Sequence, residues 1–243
     1  MNISIRLIIR GCEKMNDENA LEIVNKIFKA VFDQGNTSSL DEILEKYAFD
    51  VKLPKQVNDS LTNEITWADS INSGRYITCK NSEKREDWML PKKEIHNLQE
   101  LIDAWNSINY TTTERVYDSI NVAKSDTIYR CENVYRSTDC SDSKNMVYCD
   151  TCDHCEFLLA SQRSSTCTFS IRCDDSKDCS NSYNVICSSK VSNSFFIQDC
   201  SDLHECMFCS HISSKRFCIA NMQFTEKEYY EIKKLIIEWI INS

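Results

Sequence analysis

Residues 119–137 read SINVAKSDTIYRCENVYRS, and every third residue of this stretch, Ser119, Val122, Ser125, Ile128, Cys131, Val134 and Ser137, is small or apolar. The rule continues to Ile212 without exception. Each third position is Ser, Cys, Val, Ile, Leu or Met, and the residues between are mostly Asp, Asn, Lys, Arg, Thr and Tyr. A strand alternates every two residues and a helix every 3.6, so a period of three fits neither. It fits a narrow β-solenoid, in which short extended segments and bends alternate, every third side chain points inward, and stacked turns share one core.

A second period of six lies on the first. Large or Cys residues stand at 122, 128, 134, 140, 146, 152 and 158, with Ser or Cys midway between them. The pair Ser161 and Ser164 shifts the phase, and the series resumes at 167, 173, 179, 185, 191, 197, 203 and 209. Many of these residues follow Asn or Asp, as in Asn121–Val122, Asp139–Cys140 and Asn184–Val185. Asn and Asp tolerate a left-handed backbone better than other non-glycine residues. Small Ser and Cys are expected in the tight corners and large residues in the middle. A turn of about 18 residues would give about five turns and a rod about 25 Å long.

The cysteines follow the same rule. Of the thirteen from Cys131 onward, only Cys187 leaves the three-residue register. A disulfide framework has no reason to exchange Cys with Ser, Val and Ile, whereas core packing does, because free Cys behaves as a small buried hydrophobe. The sharpest chemical candidate is nevertheless a metal site at Cys149-x-x-Cys152-x-x-Cys155, beside His154, with Cys206-x-x-Cys209-x-His211 second. CxxC spacing is common in zinc sites, and CxxCxxC opens the ferredoxin-type iron–sulfur run. That run needs a fourth Cys where Leu159 stands. Core packing is the preferred reading, and no cofactor is expected.

Flanking segments read as helices. Ala20, Leu21, Val24, Ile27, Phe28, Val31 and Phe32 follow helical spacing, with Asp17 as N-cap and Gly35 as stop. Ser39 and Glu42 form a capping box for a second helix carrying Ile43, Leu44 and Tyr47. Residues 49–80 read as short strands or ordered loop. Pro91 is expected to open a third helix, in which Ile95, Leu98, Leu101, Ile102 and Trp105 share a face. Thr225 and Glu228 cap a last amphipathic helix with Tyr229, Ile232, Leu235, Ile236, Trp239 and Ile240, expected to cover the open end of the stack. The fold class is therefore α+β: a mainly helical N-terminal domain over 1–115, a β-solenoid over 116–218, and a C-terminal capping helix over 219–243.

The segment 217–229, FCIANMQFTEKEY, carries a resemblance. It is similar to the closing segment of uncharacterised bacterial Cys/Ser-rich short-repeat solenoid proteins, in which a Tyr/Phe-Cys-Ile-x-Asn motif precedes a Thr-x-x-Glu-Tyr helix. The resemblance covers about the last 110 residues, and it implies the fold and no activity. Pentapeptide-repeat and hexapeptide-repeat solenoids are more distant: their spacings are five, and two plus four, rather than three.

Composition narrows the function. With three Gly and no P-loop, dinucleotide fingerprint, GxSxG or Ser–His–Asp pattern, catalytic grammar is absent. The net charge of −9 argues against nucleic-acid binding. No run is long enough to span a membrane, and the apolar patch Ile3–Ile9 is short for a secretory signal. A cytoplasmic location is expected. The histidines His96, His154, His204 and His211 and the acidic pairs Asp41–Glu42 and Asp174–Asp175 read as surface residues. An aromatic series (Tyr129, Tyr135, Tyr148, Phe157, Phe169, Tyr183, Phe195, Phe208, Phe217) marks either a partner surface or, preferably, the seat of the N-terminal helices. The leading expectation is a non-enzymatic scaffold that presents the solenoid to a protein partner. The alternatives are a Zn or Fe–S protein, an acidic DNA mimic, and a subunit of a larger assembly, viral or otherwise. The mimic reading is weak, since fourteen acidic and ten basic residues over 116–218 leave a net of only −4.

Overall fold

A computed structural model of the protein describes residues 15–71, 74–85 and 87–242. The apolar patch Ile3–Ile9 lies outside the described residues. From Val116 the chain winds into a β-solenoid of about nine turns. Each turn takes 12 residues: Val122 pairs with Val134, Val134 with Met146, and Met146 with Leu158. This corrects the expected turn of about 18 residues, and nine turns at about 4.8 Å make a rod of about 43 Å. Twelve is four units of three, so every turn has four inward positions.

The bends follow from the backbone. Every third residue from Asp118 to Ala220 is left-handed, with φ between 45° and 59°, and none is glycine. Such a conformation is unfavourable for an L-residue in isolation. Here it turns the amide toward the neighbouring turn, where it finds a carbonyl thirteen residues back: Arg130 N donates to Tyr117 O at 3.0 Å, Tyr148 N to Tyr135 O at 3.1 Å and Ala160 N to Val147 O at 3.0 Å. Asn and Asp at 118, 121, 133, 139, 142 and 145 occupy these positions, as the sequence pairs predict.

Inward serines complete the accounting. A Ser hydroxyl accepts the amide of the residue twelve further on, as in Ser119–Cys131 (2.9 Å), Ser137–Cys149 (3.0 Å) and Ser161–Cys173 (3.2 Å). It donates to the carbonyl two residues back, as Ser137 does to Tyr135 O at 3.0 Å. A buried amide left alone costs about 1–3 kcal/mol, so Ser in the core is a hydrogen-bonding part as well as a small one.

The phase shift at Ser161 and Ser164 has a structural counterpart. Residues six apart stand half a turn apart, so in each turn two large inward residues oppose each other across two small ones. Before the shift the large pairs are Val122/Ile128, Val134/Cys140 and Met146/Cys152; after it they are Cys173/Cys179, Val185/Val191 and Ile197/Leu203. Three residues are a quarter turn, and the large diagonal rotates by that amount. The strand Thr168–Asp174 is seven residues long where most are four. Its first half pairs with Glu156–Leu159 and its second half with Tyr183–Ile186, carrying the long sheet from one wall to the next.

The described residues form five helices outside the rod: α1 (Asp17–Phe32), α2 (Leu40–Tyr47), α3 (Cys79–Glu83), α4 (Leu98–Asn106) and α5 (Glu226–Asn242). The cap of α1 is Asn16 rather than Asp17, because Asn16 and Asn19 satisfy each other's backbone amides. Its end is Asp33 in the left-handed conformation, two residues before Gly35. Helix α4 begins at Leu98 and not at Pro91, since Asn97 accepts from Glu100 N while Glu100 accepts from His96 N. The Ser39–Glu42 and Thr225–Glu228 capping boxes form as expected.

Helices α1 and α2 and the side of α5 lie on one wall. That wall carries an apolar column at the same twelve-residue spacing: Tyr135, Val147, Leu159, Ile171, Tyr183, Phe195, Met207 and Ile219. Val24, Ile27, Phe28, Val31 and Phe32 of α1 pack on it, with Phe32 edge-on to Tyr183 at 5.5 Å and Phe195 at 5.8 Å. Each such buried side chain contributes about 1.5–3 kcal/mol. Tyr229 and Ile240 of α5 join the same core, Trp239 lies over Phe196, and Lys46 reaches Ile241 O at 3.1 Å.

Between α2 and the solenoid, a hairpin pairs Lys55–Asn58 with Ile65–Ala68, and Tyr76–Thr78 runs parallel to Thr111–Thr113. Asp126, fully buried, ties this part to the first turns by accepting from Arg115 and from Asp69 N at 2.9 Å. At the far end the strand Ser213–Arg216 is exposed throughout, and Lys215 stands in the column that Leu203 fills one turn earlier. A charge at that edge opposes further stacking of strands.

Candidate functional site

Cys149, Cys152 and Cys155 take three successive inward positions of a single turn, all buried. Each thiol does what a Ser hydroxyl does elsewhere. Cys149 Sγ donates to Val147 O (3.5 Å), Cys152 Sγ to Asp150 O (3.3 Å) and Cys155 Sγ to Asp153 O (3.2 Å). Burial, followed by a bond to Cys152, pushes the Cys149 thiol well above its ordinary pKa. His154 is on the outside, 2.8 Å from Asp153, and His211 is also outside, 3.9 Å from Asp199. The fold thus separates both histidines from the CxxC sulfurs that precede them in sequence. It brings together a different set: the sulfurs of Cys167, Cys173 and Cys179 lie within 4.8 Å of one another, the one such all-cysteine group among the described residues. They stand on adjacent turns, a relation that only the twelve-residue period reveals. Three thiolates at that separation match the donor set of a soft metal ion.

The aromatic series divides in two. Tyr135, Tyr148, Tyr183 and Phe195 are under the helices. Phe157–Phe169 and Phe196–Phe208 stack turn on turn, with centroids 4.5 and 4.6 Å apart. The walls away from the helices carry polar ladders of the same spacing. Asn121, Asn133 and Asn145 bond in series at 2.9 and 2.8 Å, and Arg130 pairs with Asp142 at 2.6 Å.

Two further features lie outside the solenoid's repeat. The first is α4, which buries none of its residues: Leu98 is 71% exposed and Trp105 56%, and Leu101 and Ile102 are exposed beside them. The helical spacing was legible, but nothing in the sequence distinguished a face turned to the core from one turned to water.

The second feature is a cleft of about 770 Å³ between the solenoid and the segment 48–56, lined by Leu44, Phe49, Val51, Leu53, Lys55 and Arg136 among others. Arg136 is the one lining residue of the cleft that the solenoid contributes. The guanidinium lies 5.4 Å from the Trp67 ring centroid and 5.9 Å from that of Tyr148. Its Nε is buried and has no acceptor. Nearby, Lys52 pairs with Asp69 at 2.7 Å. Asp150, 6% exposed, leaves Oδ1 without a partner, and burial raises its pKa. Leu44 was expected on the second helix and Tyr148 in the aromatic series, but Arg136, Lys52, Asp69 and Asp150 were not singled out from sequence. Arg136 occupies an outward position indistinguishable by pattern from Arg130.

No protein-family model matches the chain, and no curated protein or solved structure shows significant similarity to it. No described helix is long and apolar enough to cross a membrane.

Proposed function

We propose that this is a non-enzymatic, cytoplasmic interaction protein. The solenoid acts as a rigid scaffold and the molecule docks to a protein partner. The observation that carries the reading is α4, a capped amphipathic helix whose apolar residues Leu98, Leu101, Ile102 and Trp105 are all exposed and which buries none of its residues. Such a face is characteristic of association sites, and Trp is the residue type that most often anchors them. The aligned ladders of the open walls supply a second, polar surface. Kinship with Cys/Ser-rich short-repeat solenoid proteins, suggested by the closing segment 217–229, belongs to the same proposal. The test is the double variant Leu98→Glu/Trp105→Glu. Its melting temperature should match the parent's, while a partner that co-purifies stoichiometrically with the parent should be lost. Retention of that partner by the variant would remove α4 from the reading.

A second reading, a metal protein, is favoured by one observation, the Cys167–Cys173–Cys179 sulfur group. Metal analysis with a denatured thiol count, on protein purified anaerobically under reducing conditions, decides between the two. Fifteen thiols and no metal sustain the scaffold. Stoichiometric zinc, copper or iron, lost in Cys173→Ser, sustains the metal reading.

A further inference from the structure

Six arginines lie on the solenoid or at its first residue, Arg115, Arg130, Arg136, Arg163, Arg172 and Arg216. Five meet a carboxylate: Arg115–Asp126 (2.9 Å), Arg130–Asp142 (2.6 Å), Arg163–Asp174 (2.5 Å), Arg172–Asp50 (2.8 Å) and Arg216–Glu205 (2.9 Å). Of these six, Arg136 alone meets no carboxylate of the described residues. Two rings flank its guanidinium, with the Trp67 centroid at 5.4 Å and the Tyr148 centroid at 5.9 Å. A guanidinium keeps its charge at every physiological pH and offers a fixed fork of donors. With a buried Nε–H lacking an acceptor, it is the kind of unpaired group that calls for a ligand or solvent.

We propose that the cleft above Arg136 binds a small anionic amphiphile, an oxyanion headgroup on an apolar body. Arg136 would take the headgroup, because a planar fork suits carboxylate and phosphate oxygens and no protein carboxylate already engages it. Lys55 at the rim adds a second positive charge, whereas Lys52 is already engaged by Asp69. The apolar body has a wall to lie on, made by Leu44, Phe49, Val51, Leu53 and Pro54. The cleft is an open groove, and its volume of about 770 Å³ is large enough for a small ligand to lie in it. Glu45 also lines the cleft and weakens its field for anions.

The test is isothermal titration calorimetry of the full chain with decanoate below its micellar range, against decanol and inorganic phosphate. The expected result is one decanoate per chain, competition by millimolar phosphate, and at least tenfold weaker binding of decanol. Arg136→Gln should lower decanoate affinity at least tenfold, with Lys144→Gln, on an exposed wall, as an unaffected control. Should Arg136→Gln fail to fold, Arg136→Lys keeps the charge but loses the fork, and it should weaken decanoate several-fold. Decanol binding as well as decanoate, decanoate binding unchanged in both Arg136 variants (as adsorption to α4 would give), or no binding to the parent protein would each overturn the proposal.

Discussion

The first and second halves of the solenoid obey the same rule with opposite assignments. Up to Met146/Cys152 the large inward residues occupy one diagonal of the turn and Ser or Cys the other; from Cys173/Cys179 onward the diagonals are exchanged. The outer apolar column, Tyr135 to Ile219, runs straight through the exchange. The difference teaches that no wall is intrinsically apolar inside. What the fold requires is that large faces large and small faces small in each turn, with the backbone bending at every third residue. The exchange is tolerated where two small residues, Ser161 and Ser164, come in succession, and where a seven-residue strand spans the two walls.

If the halves are equivalent, a charge at a large inward position of either should be equally damaging. Val134→Asp and Val185→Asp each bury an unpaired carboxylate at a site with no exposure, and each should abolish cooperative folding at neutral pH. Circular-dichroism melts check this. A normal melt for either variant would break the inward-register model for that half.

The junction separates the two jobs of serine. Ser161 Oγ receives the Cys173 amide, so Ser161→Ala strands a buried N–H and should cost about 1–3 kcal/mol by urea denaturation. Ser164 Oγ only donates, to Gln162 O and Cys173 O. Ser164→Ala removes a donor but orphans no amide, and it should cost about 1 kcal/mol or less. Equal losses would mean that the hydroxyls act as space-fillers alone.

Thiol reactivity sharpens the same picture. Among the described cysteines Cys187 is exposed and Cys79 half-buried, while the others are buried. A native titration with an aromatic disulfide reagent should modify Cys187 fast and Cys79 slowly, and the buried thiols only on unfolding. Rapid modification of Cys149 or Cys173 would show that the lumen opens.

The period of three, the phase shift and the Asn or Asp before the inward residue were legible because each is a local demand of the backbone on the side chain. The twelve-residue turn was written in the same sequence, in the apolar series Tyr135, Val147, Leu159, Ile171, Tyr183 and Phe195. It was hidden because those residues sit one place outside the inward register. Without the turn length, neighbours across turns could not be named, so Cys149-x-x-Cys152-x-x-Cys155 drew attention and Cys167, Cys173 and Cys179 did not. Arg136 was illegible for a different reason. What sets it apart is spatial: it meets no carboxylate where the other arginines of the rod do, and Trp67 arrives beside it from a distant hairpin.

The last comparison is between the rod and the helices laid on it, and acid should separate them. Two ion pairs cross the seam. Asp50 meets Arg172 at 2.8 Å, and Asp17 meets Lys124 at 2.9 Å and the Tyr135 hydroxyl at 2.8 Å. The hydrogen bond from Arg172 lowers the Asp50 pKa, and those from Lys124 and Tyr135 lower that of Asp17. A carboxylate whose folded pKa is depressed stabilises the fold above its unfolded pKa, about 3.9, and loses that contribution as pH falls through the lower folded value. Both groups are partly exposed, so each is worth at most about 1 kcal/mol. The rod's inward contacts contain no such groups, since its lumen is Ser, Cys and aliphatic residues. Between pH 4 and pH 2 the near-ultraviolet signal of Tyr47, Tyr148 and Tyr183 at the seam should therefore weaken while the far-ultraviolet β signal persists. Asp50→Asn should move that loss toward neutral pH by a few tenths of a unit. Simultaneous loss of both signals would mean that the helical layer and the rod fold as one cooperative unit.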